Sequence, residues 1–251
     1  MKKINLLLSA LLCFSLNSAN AESRVTVFYP DKASATLKNV PTLESLVVDN
    51  PALQGKIWWS GAAIAQQSAT RIQQQKQQQL LARLKALSAV LRQDDDTSLA
   101  ATVDSVHSQL AEFNIIGRLF VPLDPDMIRL DPVLDRRLQG EYQLYVAPEP
   151  KSVRLLGALA PHGKRDFLPG KDVSDYLIGL QLLEGAEHDT AWIVTPQGEV
   201  QPVPIAYWNR RHNEMTPGSL LFLGFAVSAL PDDFKDINEQ IISLLTHRIP
   251  D

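Results

Sequence analysis

Asp124 and Asp126, two apart in the stretch PLDPD, come nearest in this chain to a pair of acids able to hydrolyse a glycosidic bond. A glycosidase sets its two carboxyls across a cleft with the sugar between them. Acids flanking a proline fit a turn better, and the same holds for the adjacent Asp232 and Asp233. The histidines, at 107, 162, 188, 212 and 247, form neither an i, i+4 pair nor a His-x-His spacing. Zinc ligation therefore lacks a framework. A Gly-x-Ser-x-Gly elbow is absent as well. No catalytic residue, metal or cofactor is assigned on these grounds.

What remains are groups that bind rather than react. Arg118 follows Gly117 where a helical stretch gives way to extended chain. A guanidinium grips a carboxylate or phosphate through two parallel hydrogen bonds. Arg118 either does this for a ligand or makes an internal ion pair with Asp124 or Asp126, and the sequence leaves both open. Trp58 and Trp59 offer flat apolar faces that suit sugar rings. Neighbours on an extended segment point to opposite sides, so at most one is free for a ligand, with Trp59 the candidate. Tyr207, Trp208, Asn209, Arg210 and Arg211 form a polar-aromatic cluster between two strands, which lines a shallow groove or packs along an edge strand. Trp192 belongs in a core. The candidate binding residues are thus Arg118, Asp124, Trp59, Tyr207, Trp208 and Arg210.

The elements that position them are read from punctuation and periodicity. Residues 1–21 have the form of a secretory signal, with Lys2 and Lys3, an apolar stretch from Leu6 to Leu16, and an Ala19-x-Ala21 cleavage site. Cys13, the only cysteine, falls inside it and follows Leu12, which is too large for a lipoprotein site. Cleavage near Ala21 would leave an exported chain of about 230 residues with no disulfide and no membrane-spanning segment. A hydrophobic fraction of 45% allows an ordinary core, and a net charge of −4 argues against nucleic acid as a ligand.

In the second half, Val153–Leu159 reads as a strand, Pro161-His162-Gly163 as a turn, and Lys164–Leu168 as a return strand. Asp172 caps a helix carrying Val173, Tyr176, Leu177 and Leu180, with Gly185 where it should stop. Trp192–Val194 and Val200–Tyr207 are extended, and MTPGSLLFLGF closes the unit. The first half has the same grammar. Val25–Phe28 and Ala35–Val40 form a hairpin, Thr42 caps a helix with Leu43, Leu46 and Val47, and RLQGEYQLYV supplies the closing phrase. Between them an insertion of two helices occupies about residues 61–117. It holds eight glutamines between Gln66 and Gln79, read as a solvated face, and apolar stripes at Leu80–Leu91 and Leu99–Phe113. A 30-residue helix is about 45 Å long, so the hairpin projects beyond its sheet unless it folds back. From Pro231 onward, Phe234, Ile237, Ile241, Leu244 and Leu245 mark an amphipathic helix of about 18 residues. Its acidic polar face favours packing on its own domain over a membrane surface.

These strings (KIWWSGAAI, GRLFVPLDPDMIRL, LQGEYQLYV, and the run from AWIVTPQGEV to TPGSLLFLG) resemble the GfcC/YjbG family of periplasmic capsule and exopolysaccharide biosynthesis proteins, closer to its YjbG branch. The likeness runs to the terminal THRIP. It implies an α+β fold: two tandem β-grasp domains of the ubiquitin-like, SLBB-like kind, a helical hairpin inserted in the first, and a C-terminal amphipathic helix packed on the second. The expected divisions are a signal peptide at 1–21, a first domain at 22–150, a second at 151–228 and the terminal helix at 229–251. The resemblance also implies a periplasmic, non-enzymatic part of a polysaccharide export system. Its partners would be an outer-membrane secretion protein, an operon lipoprotein, or both, and a basic residue at the insertion's end, here Arg118, recurs in the family. A soluble module that binds an acidic polysaccharide is the alternative, and a hydrolase or lyase a more distant one.

Overall fold

The computed structural model describes residues 23–53, 57–209 and 211–250; the signal-like stretch, Cys13 and Arg210 lie outside them. The chain is a mixed α+β protein with two principal sheets, each accompanied by helices. In chain order the first region contains β1 (Arg24–Phe28), β2 (Ala35–Lys38), α1 (Leu43–Val47), β3 (Ala63–Gln66), α2 (Gln67–Gln93), α3 (Thr97–Ala111), α4 (Pro125–Leu130) and β4 (Glu141–Tyr145). The second contains β5 (Ser152–Gly157), β6 (Leu159–Ala160), β7 (Gly163–Asp166), α5 (Val173–Leu177), β8 (Gln181–Leu182), β9 (Thr190–Val194), β10 (Val200–Pro204), β11 (Leu220–Leu223) and α6 (Ile237–Leu245).

The two closing phrases of the sequence do the same topological job. β4 runs parallel to β1 in a sheet ordered β2-β1-β4-β3, and β11 runs parallel to β5 in a sheet ordered β10-β9-β11-β5-β7. In each case a hairpin and a short helix precede the returning strand. The helices start where the sequence places their caps. The Thr42 hydroxyl accepts from the Ser45 amide while the Ser45 hydroxyl receives the Thr42 amide, and Asp172 accepts from Ser174. Proline falls at 202 and 204 in β10, an edge strand, where a missing amide breaks no second ladder.

Burial explains why the two phrases differ in residue type. Glu-Tyr-Gln-Leu-Tyr of β4 alternates because only one face, with Tyr142 and Leu144, meets the core of Val25, Leu43, Leu46 and Ile128. Leu-Leu-Phe-Leu of β11 is buried at every position. One core joins it to Tyr176 of α5, to the inserted hairpin through Leu84 of α2 and Leu99, Val103, Val106 and Leu110 of α3, and to Ile237 and Ile241 of α6. A strand covered on both faces reads as a continuous apolar run.

The hairpin therefore does not project. It leaves the first sheet, folds back and completes the core of the second. The glutamine run is mostly solvated, with one exception. Gln77 is buried, and its Nε2 donates to the carbonyls of Leu110 and Phe113, closing the C-terminal end of α3.

Three details depart from the periodic reading. The insertion begins with a strand: Ala63–Gln66 pairs antiparallel with β4 before α2 starts. Four residues with two alanines carry too little apolar alternation to announce a strand. The helix capped by Asp172 ends at Leu177, since Ile178 is already extended and Gly179 has φ +78°, so Leu180 is not on it. The terminal α-helix spans Ile237–Leu245, shorter than the stripe from Pro231, because Asp232–Phe234 is a separate 3-10 turn.

Candidate functional site

Arg118 stands at a convergence of three segments. The exit from α3 is stitched to β3 on one side: the Gln66 amide donates to Gly117 O at 3.0 Å and the Leu119 amide to Ile64 O at 2.8 Å. On the other side it meets the chain after α6, with the Ile116 amide donating to His247 O and the Ile249 amide to Asn114 O. Gly117 is required here. A Cβ would lie 2.3 Å from the backbone of Ala69 and Thr70, and its amide donates to Thr70 Oγ1 at 2.9 Å. The first turn of α2 therefore presses directly on the hairpin exit and fixes where the next side chain emerges.

That side chain points inward. Arg118 is only 6% exposed. Its Nη2 donates to Ala62 O at 3.3 Å, while its Nη1 is buried without a hydrogen-bond partner among the described residues. The ion pair with Asp124 or Asp126 is not formed. Asp124 caps α4 by accepting from the Asp126 amide, and Asp126 pairs with Arg129 at 3.2 Å. Among the described residues, the charge that acts on it is that of another cation. Arg248, buried to 3% exposure, donates from Nη2 to Val194 O and to Gly218 O. Burial, and then the charge of Arg248, lower the Arg118 pKa to about 10, which leaves it protonated at neutral pH. Arg248 was invisible to sequence reasoning as a site residue. It lies far from Arg118 along the chain, and only the fold reveals the pairing of residues 115 and 248.

The remaining candidates do not gather here. Trp59 begins a 3-10 turn and packs, partly buried, against the core of the first sheet. Trp58 lies against Gly61, at whose position a Cβ would be 2.2 Å from the ring, and reaches toward Gly218 of the second sheet's closing turn. Trp192 is partly buried against the second core. Tyr207 is fully exposed and Trp208 is 76% exposed, on the turn that follows β10. Arg210 lies outside the described residues. The turn is tied down by Asn209, whose Nδ2 donates to Asp189 O, and by Asp172, whose Oδ2 accepts the Asn213 amide. A second exposed apolar set, Met127, Leu130 and Val133, lies on and just after α4.

The histidines are apart from one another. His212 contacts Glu214 at 2.8 Å, and this hydrogen bond raises its pKa. His247 meets Phe120 edge-on and is held below its ordinary value by burial. Among the described residues no three His, Cys, Asp or Glu side chains cluster as metal ligands, and no helix is long and apolar enough to cross a membrane.

Comparison with known proteins agrees along nearly the whole chain. Residues 21–149 match the family described as capsule biosynthesis GfcC, N-terminal, and residues 161–250 match capsule biosynthesis GfcC, C-terminal. A protein of Escherichia coli K12 described as uncharacterized protein YjbG is 37% identical over 246 residues, covering 97% of this chain and 98% of the relative. The chain belongs to the capsule biosynthesis GfcC family, whose members are non-catalytic periplasmic components of capsule and exopolysaccharide biosynthesis.

Proposed function

We propose that the protein serves capsule or exopolysaccharide secretion by docking to other proteins of the system at the outer membrane, a secretion protein or a lipoprotein. The observation that carries this reading is where its large apolar side chains face water. Leu130 and Val133 are 86% and 85% exposed, and Tyr207 and Trp208 are 100% and 76% exposed. Aromatic and aliphatic groups held at turns on a folded frame are the anchors from which protein interfaces are built.

The frame itself is best described as two β-grasp modules in tandem, at 22–150 and 151–228, followed by the terminal helix. Strand order supports this. The second sheet has its hairpin, helix and parallel central pair in the order of a five-stranded β-grasp sheet, and the first has the same order with one strand fewer.

Deleting the protein should lower exported polymer without altering the chain length of what is exported, and the native gene should restore it. A folded Y207A/W208A double variant should restore it poorly. Unchanged export after deletion overturns the proposal. A second reading, direct contact with an acidic polysaccharide, is favoured by one observation, the Nη1 of Arg118, which has no hydrogen-bond partner among the described residues.

A further inference from the structure

A sheet edge is a row of unpaired amides and carbonyls, and folded proteins guard it against stray strands. The two principal sheets end in four edge strands, β2, β3, β7 and β10, and three of these are guarded. β3 is covered by the hairpin exit, which bonds Gln66 and Ile64 and bridges Ala65 to Arg118. β10 carries Pro202 and Pro204. β7 is Gly-Lys-Arg-Asp, and its Arg165 lies opposite buried Val153, on the core side. The guanidinium turns back to Pro161 O and Lys164 O. A charge on the inner face of an edge rejects an added strand.

β2, Ala-Thr-Leu-Lys, has one charge, Lys38 at its end, and no proline. Ala35 and Leu37 lie opposite Val27 and Val25, both fully buried, yet stay partly exposed themselves. The first core is unfinished along this edge. The bond from the Asn39 amide to Ser23 O, at 2.9 Å, fixes the phase of the ladder. Residues 35, 37 and 39 exchange their bonds with β1, so Thr36 and Lys38 direct their backbone groups outward. Among the described residues no backbone group receives them. On the solvent face Lys38 stands beside Arg24, whose carboxylate partner, Glu141, is on the far side in β4 at 3.8 Å. The edge is therefore positive where β2 ends.

We propose that β2 takes up an extended segment of a partner protein as a fifth strand, with apolar residues at alternate positions against Ala35 and Leu37 and an acidic residue opposite Lys38. This rests on the docking reading above and adds a site apart from Tyr207 and Trp208. An extended segment bonds the outward groups of Thr36 and Lys38 as a neighbouring strand would. Its carboxylate meets the positive end of β2 across the ladder. A second copy of the chain fits less well. It would bring another Lys38 to the same edge, and a strand of four residues falls short of the roughly 1,000 Å² that joins two folded bodies.

The test is photo-crosslinking in secreting cells with benzoylphenylalanine at Thr36 of the full chain, alone and combined with Lys38→Pro or Lys38→Glu. Proline removes one outward amide and leaves the β1 ladder intact. Glutamate reverses the charge and serves if the proline variant does not fold. The expected adduct maps to an alternating apolar segment with an Asp or Glu, and its yield falls about fivefold or more in each variant. An adduct undiminished in either variant that folds overturns the proposal. So does an adduct to a segment without that pattern, to a second copy of this chain or to polysaccharide. No adduct at Thr36 while Trp208 or Leu130 gives one overturns this site and leaves the docking reading standing. No adduct from any of the three, with export normal, overturns both.

Discussion

Gln109 on α3 grips Gly157 at the end of β5 by both of its backbone groups: Nε2 donates to the Gly157 carbonyl at 3.1 Å, and Oε1 accepts from the Gly157 amide at 2.9 Å. The amide side chain takes the place of a neighbouring strand, and it ties a helix inserted in the first region to the second sheet. Gln109→Ala would leave two buried backbone groups unsatisfied, at about 1–3 kcal/mol for each. Urea denaturation should show a loss of about 2 kcal/mol or more, whereas Gln75→Ala on the solvated face should stay within about 0.5 kcal/mol.

Gly157 itself admits no side chain. Its φ is +113°, and a Cβ would lie 2.0 Å from Leu223 O in the adjacent parallel strand. Gly157→Ala should cost on the order of 3 kcal/mol or more and prise β5 from β11. Gly140→Ala, at φ +94° with nothing within 4 Å, carries only the backbone strain of about 1 kcal/mol. Thermal unfolding of the two variants side by side measures the difference.

Leu84 of α2 is fully buried in the core that contains β11 and α6. Leu84→Ala should cost about 2–5 kcal/mol. Because the core is shared, amide exchange should quicken in β11 as much as in α2. In β1, which belongs to the separate core under α1, exchange should quicken less. Equal loss everywhere, or loss confined to the hairpin, would mean that the core is not divided in this way.

His247 gives a direction for pH dependence. Burial lowers its folded pKa, so below its ordinary value of about 6.5 the unfolded chain takes up a proton that the native protein resists. Its contribution to stability is therefore complete above that value and is lost as pH falls from there toward the folded pKa. His212 has the opposite sign: its raised pKa adds stability at low pH that fades as pH rises through the folded value. His247→Gln should flatten the acid-side decline in unfolding midpoint, and His212→Gln should not.

The sequence announced the repeated units because their signals are local. Thr42 and Asp172 cap helices wherever the chain goes, and alternation in EYQLY against the unbroken LLFL already encodes one covered face against two. What stayed hidden depends on distant pairing. Ala63–Gln66 becomes a strand only because β4 offers it a ladder, and the hairpin's resting place depends on a sheet that the chain builds much later. Arg118 was legible as a candidate but not its surroundings. The ion pair left open with Asp124 or Asp126 is not formed because α4 holds both acids, and among the described residues the charge acting on Arg118 comes from Arg248 at the other end of the chain. The surroundings of Trp59 were equally out of reach, since its 3-10 turn packs it, partly buried, against the first core.

The claim that the protein works by docking is tested most directly by photo-crosslinking in cells that are secreting polymer, with the reactive residue at Trp208 and, separately, at Leu130. The account predicts a discrete heavy band from at least one position, which mass spectrometry identifies as an outer-membrane or lipoprotein component. A polysaccharide smear from both positions, or no adduct from either while export proceeds normally, would contradict it.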